Sequence, residues 1–418
     1  MSYNLLARCR QASLPFRSRM QPQLSSQLHR LAANPLPSTF LRGGTSKGIF
    51  LNRELLPEDP AHWDPIFLGI MGSPDPEHGR QLNGMGGGIS SLSKICVVER
   101  PSEVQAAEGI DVVYTFVQVG IRDSSIDYSG NCGNLSSMIG VFGVDEGICN
   151  PRPERLNEAT GEAVIRSLNT NTNKIVETTF PIVSASGNIT PLLDLPQASM
   201  AGVPGKASQI ILDFVSPAGA RTGKLLPTGN AVDHIDIEVR GRVSRIRASL
   251  VDATNPTIFI SYAELHDALQ LKPDQAIDFH DDYVCDLMEI IRQQGATLMG
   301  LDPSAQAQPK IAALSVPSNG DEEADIRIQA FSMGVLHKAV PMTVGLCLGV
   351  AAGVQNTLAH EIVQRTRQKR PRSTNGLVTM RHAGGTVDVG SKFDSDGTVL
   401  SARVIRTGRR LMKGVVWW

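Results

Sequence analysis

The sequence predicts an α+β fold of two similar lobes, in which strands wrap around one central helix per lobe. Short β-branched segments bounded by Gly, Pro, Asn or Asp recur along the chain, a pattern typical of strands. Residues 134–144 and 342–352 are small and largely apolar, and a helix that is apolar all round is expected to be buried. These two segments lie in different halves of the chain and each is flanked by strands, so we expect two pseudo-equivalent lobes.

The individual elements follow from the same patterns, beginning with a strand, a Gly-rich turn and a second strand over residues 38–51. Further strands are predicted at residues 93–99, 111–121, 174–183, 207–215, 234–239, 245–253, 256–261, 310–316 and 325–333. Helices are predicted at residues 134–144, 153–169, 281–294 and 342–360. The Gly-, Pro- and Ser-rich segment 198–208 predicts a boundary between lobe 1 (38–205) and lobe 2 (206–418), with a return of the final strands to lobe 1 left open.

Composition sets limits on the protein class. The 418 residues are 41% apolar and only 19% charged, which is enough apolar surface to bury a sizeable core. The longest apolar runs, such as residues 344–354, are shorter than the roughly 20 residues of a membrane-spanning helix. The six cysteines lack the spacing of a zinc site or a disulfide framework. We therefore expect neither a membrane partner nor a metal site.

The formal charge of −1 hides an uneven distribution. Residues 1–53 contain eight bases and no acid, and the remainder carries a net charge of −9. An acidic body without a basic stripe argues against nucleic acid as a partner. Residues 1–37 have the composition of a mitochondrial transit peptide, and a disordered extension is the alternative. The expected location is mitochondrial or cytoplasmic.

The Gly-rich segment 83–94 (NGMGGGISSLSK) predicts an anion-binding loop followed by a base. Closely spaced glycines allow N–H groups to form a nest around an anion, and serine hydroxyls add donors. Lys94 follows at the mouth of an apolar strand, where burial favours a neutral amine that is an effective base. A tight loop with a snorkelling lysine is the alternative. The candidate binding residues of this loop are Gly86, Gly87, Gly88, Ser91 and Ser93.

A second candidate site lies at residues 127–134 (DYSGNCGN), immediately before the first apolar helix. Cys132 is predicted at the entrance of that helix, where the dipole and the free N–H groups stabilise a thiolate or a substrate carboxylate. Gly133 and Asn134 would supply such N–H groups. The alternative is a small buried cysteine beside an Asn cap.

Two further segments offer groups for a carboxylate. Residues 42–48 (RGGTSKG) form a Gly-rich turn that lacks the order of a P-loop, and a plain hairpin turn is the alternative. His337 precedes the second apolar helix, as Cys132 precedes the first, although a lone histidine is more often structural. The candidate binding residues of these segments are Thr45, Ser46, Lys47 and His337.

Residues 91–94 and 129–131 also match the S-x-x-K and S-x-N motifs of penicillin-recognising serine acylases. In those enzymes S-x-x-K opens a helix, whereas here it runs into an apolar strand, and no K-T-G follows. This acylase interpretation is therefore set aside.

Taken in order, the segments RGGTSKG, NGMGGGISSLSK, DYSGNCGNLSSMIGVF, GKLLPTGN, NPTIF and MGVLHKA resemble the PrpF family over residues 38–415. That family includes 2-methylaconitate cis-trans isomerase, aconitate isomerase, methylitaconate isomerase and oxalomesaconate tautomerase. The resemblance implies the diaminopimelate-epimerase fold, with the active site between two lobes. It also implies that Lys94 is the catalytic base and that Cys132 is the active-site cysteine.

The resemblance has one departure, at residues 341–345, where Pro-Met-Thr-Val-Gly replaces the Thr-Gly-Ala often seen after the HKA segment. The amino-acid epimerases of this fold use a second cysteine in this region, and this sequence has none there. Racemisation by two thiols is therefore not expected.

The expected function is a cofactor-independent isomerase that moves a double bond, or changes its geometry, by allylic proton transfer. The expected substrate is an aconitate-type unsaturated tricarboxylate, 2-methylaconitate or aconitate, which points to propionate metabolism. Two alternatives stay open: an amino-acid racemase of the same fold, and a non-catalytic carboxylate-binding accessory protein. A small unsaturated di- or tricarboxylate is the expected partner, no cofactor is expected, and a homodimer is left open.

Overall fold

The computed structural model describes residues 33–418 except 186, 319 and 372–375, so most of the predicted leader lies outside the described residues. The strands that precede residue 216 are β1 Leu36–Gly43, β2 Ser46–Asn52, β3 Lys94–Glu99, β4 Val112–Val119, β5 Ile126–Asp127, β6 Leu156–Asn157, β7 Glu162–Asn169, β8 Lys174–Ala185, β9 Asn188–Pro191, β10 Ala198–Met200, β11 Val203–Ala207 and β12 Ile210–Val215. The later strands are β13 Asp233–Val239, β14 Arg242–Ala253, β15 Asn255–Ser261, β16 Lys310–Ser315, β17 Ile326–Ser332, β18 Val335–Leu336, β19 Leu377–His382, β20 Gly385–Phe393, β21 Val399–Arg406 and β22 Gly408–Val416.

The described helices occur in both halves of the chain. They are α1 Trp63–Met71, α2 Glu103–Ala107, α3 Gly133–Ser136, α4 Ile139–Asp145, α5 Tyr262–Ala268, α6 Asp282–Leu298, α7 Met342–Gly353 and α8 Leu358–Lys369. No single helix in the described ranges is long and apolar enough to cross a membrane, and α7 and α8 reach that length only together, with a bend of 69° between them.

Strand pairing follows the same pattern in the two halves. In the first half the neighbours run β22, β1, β2, β3, β4, β7, β8, β12, with parallel pairs at β2–β3 and β4–β7. In the second half they run β13, β14, β15, β16, β17, β19, β20, β21, with parallel pairs at β15–β16 and β17–β19. The antiparallel pair β12–β21 joins the halves. The predicted α+β fold with two pseudo-equivalent lobes is confirmed.

This pairing also determines which parts of the chain share a lobe. The strand β12 follows the Gly-rich segment 198–208 but pairs with β8 of the first half, and β22 near the end of the chain pairs with β1. The segment 198–208 itself forms the β10–β11 hairpin. The first half therefore contains residues from both ends of the described chain.

Each lobe encloses an apolar helix, as the composition of these segments predicts. All residues of α7 from Val344 to Ala352 are buried, and Gly349 allows contact with β20, because an added Cβ would lie 2.7 Å from the Gly390 nitrogen. In the first lobe, the predicted helix 134–144 is divided into α3 and α4. The Ser137 hydroxyl donates to the Asn134 carbonyl oxygen at 2.7 Å. The Met138 N–H donates to the Leu135 carbonyl oxygen, three residues back, at 2.9 Å, which tightens the turn between α3 and α4.

Two helix predictions are corrected by the structure. The predicted helix 153–169 is wrong, because most of this segment forms β6 and β7, and alternate residues of β7 are buried as in a strand with one face in the core. The predicted helix 342–360 ends at Gly353. Asn356 has a φ of 65°, and the Thr357 side chain accepts the His360 N–H at 3.1 Å to start α8 in a new direction.

Candidate active site

The entrances of the two central helices meet between the lobes. A Cβ added at Gly133, the first residue of α3, would lie only 2.2 Å from the sulfur of Met342, the first residue of α7. Beside this contact is a cleft of about 820 Å³ that includes residues of both lobes, among them Thr45, Asn134 and His337. The fold therefore brings segments from distant parts of the sequence to one cleft.

The Gly-rich turn between β1 and β2 packs directly against the entrance of α3. A Cβ at Gly43 would lie 2.2 Å from the Asn134 carbonyl oxygen, and Gly44 has a φ of 53° with its added Cβ 2.3 Å from Asn134 Oδ1. Glycine is required here for close approach and, at Gly44, for the left-handed conformation. The Asn134 side-chain amide donates to Thr45 Oγ1 at 3.1 Å, and Cys132 Sγ lies 3.8 Å from Ser46 Oγ.

Lys94 begins β3 and faces the core around the first central helix, on the same side of the strand as Cys96. Its side chain is buried, with Nζ donating to Gln118 Oε1 at 2.5 Å and lying 4.9 Å from the centroid of the Phe116 ring. Gln118 is held in turn, because its amide donates to the Ser93 carbonyl oxygen at 2.9 Å. Within the described residues no carboxylate lies within ion-pair distance of Lys94, so this buried amine has no internal counter-ion.

The loop before α3 is held rigidly around Cys132, which is half-buried. The Asn131 amide donates to the Tyr114 hydroxyl at 3.0 Å, and that hydroxyl lies 2.9 Å from Ser136 Oγ. Burial raises the pKa of Tyr114 far above its usual range, so it is a neutral support. In the described part of the chain, no acceptor faces the N–H groups of Gly133 and Asn134, which leaves them open to a ligand.

Burial raises the pKa of the Cys96 thiol well above its usual range, and the charge of Cys132 adds to this effect while that of Lys94 opposes it. Cys132 also packs against the apolar cluster that contains Cys96.

Arg406 was not indicated by the sequence patterns, yet it lines the cleft from the end of β21. Its Nε donates to Asn134 Oδ1 at 3.0 Å, although these residues are 272 positions apart. Burial lowers the pKa of Arg406 to about 10. His382 lies at the same cleft, and burial, followed by the charges of Arg381, Arg406 and His337, lowers its pKa. Only the pairing of distant strands reveals these two groups.

The predicted binding residues Lys47 and His337 differ in their position relative to the cleft. Lys47 alternates with Ser46 along β2, so it faces away from Cys132, with Nζ 5.6 Å from the Phe40 ring centroid. The prediction that Lys47 binds the substrate is therefore not supported by its position. His337 lines the cleft, is exposed, and accepts the Ala339 N–H through Nδ1 at 3.1 Å.

The predicted nest in the loop 83–94 is also largely occupied by internal hydrogen bonds. The N–H of Gly86 donates to the Met71 carbonyl oxygen at 3.2 Å, and that of Gly88 donates to Gln81 Oε1 at 3.0 Å. Ser93 Oγ also donates to Gln81 Oε1, at 2.6 Å. Gln81 therefore organises this loop, and of its predicted donors only Gly87 and Ser91 have no hydrogen-bond partner within the described residues.

Comparison with known proteins relates the whole described chain to one family. A family model with the description PrpF protein matches residues 34–418. The chain is 33% identical over 406 residues to 2-methyl-aconitate isomerase of Shewanella oneidensis, covering 91% of this chain and 96% of that protein. It is 32% identical over 398 residues to 3-methylitaconate isomerase of Eubacterium barkeri, with 91% and 97% covered. The crystal structure of methylitaconate-delta-isomerase superposes with a TM-score of 0.76 and 30% identity, covering 92% of this chain and 95% of that one.

Proposed function

Because the chain belongs to the PrpF family, we propose that it is an isomerase that acts on an unsaturated carboxylate by allylic proton transfer. The observation that carries the proposal is the buried Lys94 amine, which has no internal counter-ion among the described residues and lies on the same side of β3 as Cys96. An amine in this setting can take up a proton from carbon or balance the charge of a carboxylate.

In the proposed reaction the Lys94 amine removes a proton from the carbon allylic to the double bond. The electron pair of the broken C–H bond delocalises over the allyl unit and its carboxylate as a dienolate. Return of the proton to the other end of the allyl unit moves the double bond. Return to the original carbon after rotation changes the geometry of the double bond instead. Either Lys94 or Cys132 returns the proton, so the substrate and the product contain the same atoms and electrons.

The contacts of Lys94 support this role. Gln118 accepts one Nζ hydrogen, and its own amide is fixed by the Ser93 carbonyl oxygen, so the amine is held in one direction. A base held in place avoids part of the entropy cost of reaching the transition state.

The entrance of α3 supplies donors for the negative charge that develops on the dienolate. The open N–H groups of Gly133 and Asn134 and the hydroxyls of Thr45 and Ser46 lie together there. Donors already oriented toward developing charge usually contribute more to the rate of such reactions than any other single effect. Cys132 is proposed as the acid or as an electrostatic contributor in the same place.

The proposed substrate is an aconitate-type tricarboxylate, either 2-methylaconitate or aconitate. This choice is supported by the isomerase activities for which the relatives are named and by Arg406, which lines the cleft. The link to propionate metabolism and a mitochondrial location stay predictions from the sequence.

A racemase with two thiols is not favoured by the second lobe. The entrance of α7 is formed by Pro341, Met342 and Thr343, and the Met342 thioether packs against Gly133. None of these three side chains can exchange a proton with carbon at neutral pH.

The proposed function is tested by incubating the protein in D2O with cis-aconitate, trans-aconitate, 2-methylaconitate and itaconate analogues, followed by NMR. We expect an isomerised product from at least one acid, with deuterium at the allylic carbon. Proline and diaminopimelate serve as controls and should not exchange their α-protons. A protein that is thermally stabilised by these acids but neither converts nor deuterates any of them would instead be the binding accessory protein.

The contact between the two helix entrances predicts a strong effect of Gly133→Ala. The new Cβ would force Met342 out of its position and into the cleft, so we expect kcat/KM to fall by roughly 10- to 100-fold. Gly130→Ala is the matched control, because nothing lies within 4 Å of a Cβ at that position. The double variant Gly133→Ala with Met342→Ala should recover part of the loss, and equal losses in the single and double variants would contradict the steric explanation.

A further inference from the structure

We infer that Arg406 binds a carboxylate of the substrate beside the entrance of α3 and so sets the affinity for that substituent. The chemical identity of the ligand rests on the proposed function, whereas the anion site itself rests on the geometry of the described residues. Arg406 is thus a binding residue in addition to Lys94 and Cys132.

The guanidinium group of Arg406 is held in place but only partly used. Nε donates to Asn134 Oδ1 at 3.0 Å, and Nη1 donates to the Ile405 carbonyl oxygen at 2.8 Å. Nη2 has no acceptor among the described residues, and the residue lines the cleft although it is only 9% exposed. Because a guanidinium presents its N–H groups as a rigid fork, the remaining donors match one carboxylate.

The charge of Arg406 has no carboxylate partner among the described residues. In the described ranges no Asp or Glu lies within ion-pair distance of it, whereas the buried Arg292 pairs with Glu289 and the half-buried Arg403 pairs with Asp213. Leaving a buried charge without a counter-ion is costly. Two histidines, His337 and His382, line the same cleft. Two carboxylates, Glu323 and Asp388, line it as well, but neither lies within ion-pair distance of Arg406, and Asp388 accepts from Thr379 instead. A carboxylate from the ligand is the missing counter-ion.

Asn134 connects Arg406 to the residues around Cys132. Its side-chain oxygen accepts from Arg406, and its side-chain amide donates to Thr45 Oγ1 and Ser46 Oγ at 3.1 and 3.5 Å. Ser46 in turn contacts Cys132. A carboxylate bound at Arg406 is therefore held next to the proposed proton-transfer groups. Arg406 also belongs to β21, the strand that joins the halves, so binding there bridges both lobes.

The test compares Arg406→Gln with Arg409→Gln, which removes the same charge from an exposed position three residues along. The probe is tricarballylate, a saturated tricarboxylate that binds without reacting, and its Kd is measured by calorimetry. We expect the Kd, and the KM of the substrate, to rise roughly 50-fold in Arg406→Gln, with kcat changed much less. Arg406→Lys keeps the charge but not the fork and should give an intermediate Kd.

Thermal melts separate a binding role from a structural one. Because Arg406 is an unpaired buried charge, the ligand-free Arg406→Gln protein should melt at or above the wild-type temperature and lose the stabilisation by tricarballylate. An unchanged Kd in Arg406→Gln, or in Arg406→Lys should the Gln variant fail to fold, would overturn the inference. If the wild-type protein binds tricarballylate through Arg406 but isomerises nothing, the proposed function fails and the anion site stands.

Discussion

Replacing Lys94 by alanine is expected to reduce isomerisation at least about a thousandfold, the upper range for loss of a general base. The fold should survive, because Lys94 contributes a single side-chain hydrogen bond, to Gln118, and a contact with the Phe116 ring. Incorporation of deuterium from solvent into the substrate should disappear together with turnover. NMR in D2O measures both quantities in one sample.

The pseudo-symmetry of the fold provides the matched control. Lys310 begins β16, which occupies in the second half the place that β3 occupies in the first, and its Nζ donates to Ser332 Oγ at 2.7 Å. We expect Lys310→Ala to retain activity, because this lysine lies in the second half, on the strand next to β15, and not in the lobe that contains Cys132. Normal turnover in a folded Lys94→Ala protein would remove Lys94 from the mechanism.

Replacing Cys132 by alanine is expected to lower kcat about 100-fold, the second large effect. Cys132 lies at the start of α3 with its sulfur 3.8 Å from Ser46 Oγ. A thiolate or thiol at this position acts directly on the charge that develops in the substrate. Initial rates across pH, for the wild-type and variant proteins, measure the loss.

Cys132→Ser distinguishes the two roles considered for this residue. A serine hydroxyl keeps a hydrogen-bond donor but does not ionise in the working pH range. If Cys132 supplies a thiolate, the serine variant should be as slow as the alanine variant and lose one limb of the pH–rate profile. Cys285→Ala is the control, because Cys285 is another half-buried thiol, located on α6 and away from the cleft. Full activity in Cys132→Ala would exclude both roles.

Much of the fold was predictable because its signals are local. The apolar segments that form α4 and α7 are recognisable from composition alone, since a helix without a polar face can only be buried. The helix predicted for residues 153–169 was wrong because this segment lacks such a local signal. Its residues have no decisive period, and pairing of β7 with β4 and β8 makes it a strand.

The residues proposed for the chemistry were also singled out by local signals. Cys132 and Lys94 stand out because each follows a Gly- or Ser-rich loop at the start of an apolar element. The position of Lys47 could not be predicted from the sequence, because the face of β2 that a residue occupies depends on what packs there. The hydrogen-bond partners of the Gly86 and Gly88 N–H groups could not be predicted either, since their acceptors Met71 and Gln81 come from an earlier segment.

The sequence by itself determined the α+β class, the two buried helices, and the loops that carry Lys94 and Cys132. Each of these depends on the period, composition or turn chemistry of a few neighbouring residues. Only the tertiary structure decided which donors lie at the cleft, because Arg406 meets Asn134 through the pairing of β12 with β21 and of β1 with β22. Contacts between segments that are distant in the chain leave no local pattern, and the anion site is built from such contacts.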